Sequence, residues 1–283
     1  IGCAGRMGQM LVREVLATDS CELSGGTECP SHSTLGQDIA STAGLDPCGL
    51  IIQADPLVLF NASDIVIDFS IAAITQRHTS LAVEHNTKLI LGTTGHDEAE
   101  IASIIAAAEK TTIVKAMNFS IGINTLFALT QHLSETLDDD FDIEIVEMHH
   151  KHKIDAPSGT AIGLGEAAAK GRGVSLAKVT RQTRDGIIGE RRRGDIGFAA
   201  LRGGDVVGEH KVIFAGNSER IELGHIASSR KIFSAGAIRA ALWSRRPQRR
   251  LRAGRRGRSR KKRGRRKMKS CKFFKRVILT KIR

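Results

Sequence analysis

Three glycines at the start of the chain, in IGCAGRMGQMLVREVLAT, constrain the fold more than any other feature. Gly2, Gly5 and Gly8 form G-x-x-G-x-x-G, and behind Gly5 the apolar residues Met7, Leu11, Val15 and Leu16 recur at helical spacing. A turn of small residues opening directly into a helix aims backbone amides at an anion, and the helix dipole favours negative charge there. In a dinucleotide-binding unit a strand precedes such a turn, and an acid some 20 residues further on bonds the adenosine ribose. Glu28 stands 20 residues after Gly8, at the end of the strand candidate CELSGGTE. Only Ile1 precedes the turn, so the sequence reads as lacking its true start. Glycine spacing alone marks only a tight turn. With the helix and Glu28 it reads as a pyrophosphate site, with Arg6 as a charged donor.

The pattern that follows fixes the fold class. ASDIVIDFS (62–70), TKLILGTTG (87–95) and TTIVKAMNFS (111–120) are short apolar runs rich in β-branched residues and ended by polar or glycine punctuation, hence buried strands. Thr75–His85 and Glu98–Lys110 between them are helical. Strand and helix alternating in this way predict a parallel sheet covered by helices on both faces. GTTG (92–95) lies where a strand ends, the edge at which open parallel sheets bind ligands. It is either a plain loop or a place where small residues admit a flat cofactor ring.

After residue 120 the rhythm changes. Asn124–Leu137 and Ala161–Lys170 read as helices, and Asp142–Met148 alternates as a strand. Asp195–Arg202, Val206–Ala215 and Arg220–Ile226 follow one another with glycine turns and no helix between them. That order predicts a second α+β domain with an antiparallel or mixed sheet. Residues 227–243 return to helix and are expected to pack back on the first domain. The expected organisation is a Rossmann-like domain over 1–119 and 228–243, and a smaller domain over 120–227.

Net charge is +13, which suggests nucleic acid, but its distribution argues otherwise. Residues 244–283 hold 21 lysines and arginines and no acid, leaving 22 bases against 30 acids in the other 243 residues. The folded body is therefore acidic. The basic run has no periodic apolar face and is expected to be a disordered tail. Its sudden onset after Trp243 suggests a reading-frame shift, which the coding DNA would settle. If the tail binds nucleic acid it does so without sequence choice, since 244–267 holds no aromatic residue for stacking. Removing residues 244–283 before a binding assay separates that reading from an enzymatic one. A second alternative is a catalytically impaired remnant. Five scattered cysteines without a C-x-x-C pair point to reduced thiols in a cytoplasmic protein and against zinc. No apolar run is long enough to span a membrane.

The segment VEMHHKHKIDAPSG (146–159) carries the chemistry. In a straight strand His149 and Lys153 would lie about 13 Å apart, too far to serve one small molecule. The strand must therefore end near His149 and curl. Pro157 and Ser158 supply the break and a helix cap, which leaves the amides of Gly159 and Thr160 facing outward for a carboxylate. Three plainer readings compete: a metal site without a completing carboxylate or thiolate pattern, a solvated basic face, and buried histidines that merely hydrogen-bond. The plain reading is preferred for His152. The functional one is preferred for His149, His150, Lys153, Gly159 and Thr160, with no metal.

Taken together, GCAGRMG, GTTG, AMNFSIGIN and VEMHHKHKIDAPSGTA resemble the 4-hydroxy-tetrahydrodipicolinate (dihydrodipicolinate) reductase family over residues 1–243. The resemblance implies NADH or NADPH as hydride source and a cyclic dicarboxylate as substrate in the diaminopimelate route to lysine. It implies a homotetramer joined through the second domain's sheet. It places Gly2, Cys3, Ala4, Gly5, Arg6 and Met7 on the cofactor pyrophosphate and Glu28 on the adenosine ribose. Gly92, Thr93 and Thr94 would lie by the nicotinamide, with Ala116, Met117, Asn118 and Phe119 lining the cleft at the hinge. His149 would be proton donor or acceptor and Lys153 a proton donor, while His150, Gly159 and Thr160 would hold substrate carboxylates. Family members often carry an arginine after the acid to meet the 2′-phosphate of NADPH. Here that residue is Cys29, which predicts a preference for NADH.

Overall fold

The computed structural model describes residues 1–245, so the expectation of a disordered tail falls outside the described residues. The chain divides into two compact units: Ile1–Ala116 joined by the residues from Ala237 on, and Met117–Gly236.

Unit 1 runs α1 (Arg6–Leu16), α2 (Ile39–Thr42), α3 (Pro56–Ala62), β1 (Ile65–Asp68), α4 (Thr75–Glu84), β2 (Lys88–Leu91), α5 (Glu98–Ala108) and β3 (Ile113–Lys115). The three strands are parallel in the order β1-β2-β3, with Ile67, Ile90 and Val114 in register. Helix starts follow local chemistry. Asp55 accepts from the Leu57 amide ahead of Pro56, and Asp97 and Glu100 form a reciprocal capping box on α5. Leu59, Phe60, Val66, Leu81, Leu89, Leu91 and Ile104 form the core beneath them.

One expectation needs correction here. CELSGGTE forms no strand; it pairs only at Thr27, bridged to Gln53. Gly25 and Gly26 offer no side chains to hold a pleated ribbon, and the backbone at Gly26 packs so tightly on Cys3 that a Cβ would sit 2.8 Å from its sulfur. The Ile1 amine donates to the Ile67 carbonyl (2.8 Å), and the Gly2 and Cys3 amides donate to the Thr27 carbonyl. These bonds tie residues 1–3 to Thr27 and to β1.

Unit 2 runs α6 (Ile121–Leu137), β4 (Asp142–His149), α7 (Gly159–Gly171), α8 (Leu176–Val179), β5 (Thr180–Arg181), β6 (Ile196–Arg202), β7 (Gly208–Ala215) and β8 (Arg220–Ala227); α9 (Lys231–Ser244) begins here and passes into unit 1 at Ala237. The sheet order is β5-β6-β4-β7-β8. It is mixed: β6 lies parallel to β4 and β5, whereas β7 is antiparallel to β4 and β8. Along β4 burial alternates strictly, so Ile143, Ile145, Glu147 and His149 share the covered face. Ile123 and Leu126 of α6 and Leu164 of α7 pack there with Val212, Phe214 and Phe198. Covering that face buries Glu147 and His149 at the sheet's end, where the apolar core gives way to polar groups.

Candidate functional site

On unit 1 the turn is built around close backbone approach. Gly2 adopts φ +72°, and a Cβ on Gly8 would lie 1.9 Å from the Gly2 carbonyl oxygen, so Gly8 has no room for any side chain. Gly5 is the N-cap of α1, no side chain caps that helix, and no acid stands in its first turn. An uncapped helix start with no acid in its first turn suits an anion such as a pyrophosphate. Glu28 stands at the mouth of the turn. Its Oε1 accepts from the amides of Ala4 (2.9 Å) and Gly5 (3.2 Å), with Oε2 left to meet ribose hydroxyls. Arg6 is exposed and Met7 half-buried, while Cys3 is buried and burial pushes its thiol pKa up; Cys3 is a core residue whose contribution to the turn is backbone.

The GTTG segment divides by residue. Gly92 is packed under the Phe69 ring, where a Cβ would stand 2.4 Å from ring carbons. Thr93 is buried, with its hydroxyl directed at Asp68, and Thr94 is exposed. Asp68 is fully buried beneath this edge and accepts from His78 Nδ1 (2.7 Å) and from the Ser70 amide. Burial raises the Asp68 pKa, but the His78 hydrogen bond and charge hold it below the usual carboxylate range. Of 116–119, Ala116 donates its amide to Leu91 within unit 1. In unit 2, Met117 and Asn118 are half-buried. Phe119 is buried, only 4% exposed.

On unit 2 the curl expected after His149 is present. β4 ends at His149, the Lys153 amide donates back to the His150 carbonyl (3.1 Å), and the His150 amide is held by Val206. Ser158 caps α7 by accepting from the Ala161 amide (3.2 Å), and Gly159 and Thr160 open the helix. Thr160 is tied to Asn118, whose side-chain amide donates to its hydroxyl (3.1 Å). His150 Nε2 lies 3.2 Å from Arg230, and His152 is exposed. The Lys153 ammonium bonds both oxygens of Asp155 (2.7 and 2.9 Å).

The surrounding groups were not singled out from sequence. Glu147, 1% exposed, accepts two bonds from Arg202 (2.8 and 2.9 Å), one from His149 Nδ1 (2.6 Å) and one from the Ser158 amide (3.0 Å). His210 lies edge-on to His149 at 5.1 Å and pairs through Nε2 with the Ser158 hydroxyl (3.2 Å). Burial lowers the His149 pKa. The Glu147 hydrogen bond and charge oppose that, and the Lys153 and Arg202 charges add to it. Glu147 was legible from alternation, since it lies two residues before His149 on the same face. Arg202 and His210 arrive through sheet register, which no local pattern reports. Among the described residues no group of three or more His, Cys, Asp or Glu is placed to hold a metal ion.

A parallel-sheet unit with an uncapped glycine-turn helix, followed by a mixed-sheet unit bearing a histidine–lysine cluster beside a helix N-terminus, defines a two-unit α/β oxidoreductase of the nicotinamide-dependent class. The family models described as dihydrodipicolinate reductase, N-terminus and C-terminus match residues 1–119 and 122–255. The chain belongs to the dihydrodipicolinate reductase family. It is 52% identical over 243 residues to the 4-hydroxy-tetrahydrodipicolinate reductase of Parvibaculum lavamentivorans, and 50% over 242 to that of Dinoroseobacter shibae; each match covers 86% of this chain and 90% of the relative. The fold is shared with a dipicolinate-bound dihydrodipicolinate reductase from Paenisporosarcina sp. TG-14, at TM-score 0.66 and 23% identity over 86% of this chain and 92% of that one.

Proposed function

We propose that this chain is an NAD(P)H-dependent reductase that converts 4-hydroxy-tetrahydrodipicolinate to tetrahydrodipicolinate in the diaminopimelate route to lysine. The observation that carries the reading is the cluster on unit 2. An imidazole backed by a buried carboxylate, a lysine ammonium, and the first amides of α7 stand within one strand-turn-helix segment. The bound cofactor supplies the hydride. Gly2, Cys3, Ala4, Gly5, Arg6 and Met7 would hold its pyrophosphate and Glu28 its ribose, with Gly92, Thr93 and Thr94 toward the nicotinamide. The Gly159 and Thr160 amides and His150 hold the substrate's carboxylates, because fixed donors gathered at a helix start suit a doubly negative molecule. The charged Lys153 delivers a proton. His149, disfavoured from carrying charge, presents Nε2 as an acceptor. The test is NAD(P)H oxidation with the enzymatically generated cyclic substrate, with and without residues 244–283; no substrate-dependent oxidation in either form would remove the reading.

The cofactor preference follows from one position. Cys29 is exposed directly after Glu28 and brings no cation to a 2′-phosphate. NADH is therefore expected to give the larger kcat/KM. Cys29→Arg should raise kcat/KM for NADPH about tenfold through a charge-assisted contact. A clear NADPH preference in the parent chain would refute this.

The sheet face opposite the core presents Val146, Met148 and Ile213, with Leu201 51% and Ile226 71% exposed. Such an apolar face is suited to covering by further copies of the chain, supporting a homotetramer. Cys3, Cys21, Cys29 and Cys48 are free thiols, and no described helix is long and apolar enough to cross a membrane. Together with the biosynthetic role, the thiols support a cytoplasmic location. Sedimentation and cell fractionation should return four-chain assemblies in the cytosol. Monomers, or recovery outside the cytosol, would contradict the corresponding part.

A further inference from the structure

We propose that Glu147, locked by Arg202, is a positioning residue that sets the proton state of His149 and fixes the anion-holding loop against it. The proposal rests on the reading of His149 as the proton-handling group. Glu147 lies two residues before His149 on the covered face of β4 and is 1% exposed. Its two oxygens accept four hydrogen bonds. Oε2 takes His149 Nδ1 and Arg202 Nη1; Oε1 takes Arg202 Nη2 and the Ser158 amide. Arg202 also donates to the Asp155 carbonyl (2.7 Å), so the guanidinium grips the loop on which Lys153, Gly159 and Thr160 are mounted.

The chemistry follows from what a carboxylate can do. Two guanidinium bonds and a backbone amide keep Glu147 ionised despite its burial, and an ionised carboxylate only accepts. His149 Nδ1 must therefore carry a hydrogen, and Nε2 is left as the only ring position where a proton can come or go. The same carboxylate holds the Ser158 amide one residue ahead of Gly159. One buried anion thus registers the proton-handling imidazole and the first amides of α7 to each other. Arg202 reaches this point because β6 pairs with β4 in parallel, with Arg202 opposite His149 in register. Arg202 also prevents Glu147 from taking the His149 proton itself. The charged and titratable groups around the imidazole are Glu147 on its own strand, Arg202 from β6, Lys153 from the turn and His210 from β7.

The test combines a side-chain measurement with kinetics. In the full-length protein labelled with 15N-histidine, the His149 signal is identified by its loss in His149→Asn. It should report hydrogen on Nδ1 and a bare Nε2 when neutral. Glu147→Gln should mix the two tautomers and lower kcat about 10- to 100-fold. It should move the kinetic limb reporting His149 to lower pH, because the carboxylate favours the imidazolium, and leave the dissociation constant for NADH within about twofold. Parent protein with hydrogen on Nε2, or Glu147→Gln with an unmoved limb and unchanged kcat, overturns the proposal. Should Glu147→Gln fail to fold, the parent tautomer still decides. Near-normal turnover in His149→Ala would instead bring down the reading beneath it, whatever Glu147→Gln does.

Discussion

Replacing His149 or Lys153 by alanine is expected to lower turnover about a hundredfold to ten-thousandfold, the range associated with losing a positioned proton donor or acceptor. Binding of NADH should change less than twofold, because the residues assigned to its pyrophosphate and ribose, Gly2 to Met7 and Glu28, lie on the other compact unit. The two losses should differ in kind. Lys153 holds an ammonium at the turn, where its charge disfavours protonation of both His149 and His210. On the proposed reading its removal takes away the proton source and a cation for the dicarboxylate, so KM for substrate should rise as kcat falls. His149 is anchored on Glu147 and bears no charge in its favoured state, so its loss should appear mainly in kcat. Steady-state kinetics and cofactor titration on the two variants check both statements. Near-normal turnover in both would remove the assignment.

Acid should weaken the fold through His210. This side chain is 5% exposed, and its pKa is lowered to about 4: burial disfavours the charged ring, and the neighbouring His149, His225 and Lys153 charges oppose it further. The unfolded chain regains an ordinary imidazole. The folded state therefore binds fewer protons, and stability falls as pH drops from about 6.5 towards 4. The contribution is roughly 3 kcal/mol over that window, fully present only above it. Carboxylates titrate in the same range, so the informative quantity is a difference. Urea unfolding of the parent and of His210→Gln across this window should give a parent curve steeper by about that amount. Parallel curves would show that His210 is not held neutral by its surroundings.

The parts of this architecture that were legible in sequence are those written in local period and punctuation. Alternation along Asp142–Met148 identifies β4 and its buried face. Asp155, Pro157 and Ser158 announce the break and the cap of α7, and the capping box at Asp97 and Glu100 fits the helix expected from Glu98. CELSGGTE failed as a strand because two adjacent glycines remove the side chains a ribbon needs, which a count of apolar residues does not register. α3 was missed because it is only seven residues long and sits within an apolar run, although Asp55-Pro56 was a usable start signal. Within the site, Lys153 and His149 lie close in sequence and could be paired by reasoning. Arg202, His210 and Arg230 come from distant strands and a helix start, brought in by register and packing alone. Phe119 and Cys3 were assigned to the cofactor by motif, yet both side chains are buried, since a motif marks chain position and not which way a side chain faces.

Binding of dipicolinate, a planar dicarboxylate, tests the central claim most directly. The protein would be titrated with it in the presence of NADH, with the backbone amides of Gly159 and Thr160 and the side chains of His149, His150 and Lys153 followed by NMR. All five should shift together along one saturating curve, and Lys153→Ala should weaken that curve at least tenfold. Saturable binding that leaves the Gly159 and Thr160 amides unmoved, or that Lys153→Ala does not weaken, would contradict the account.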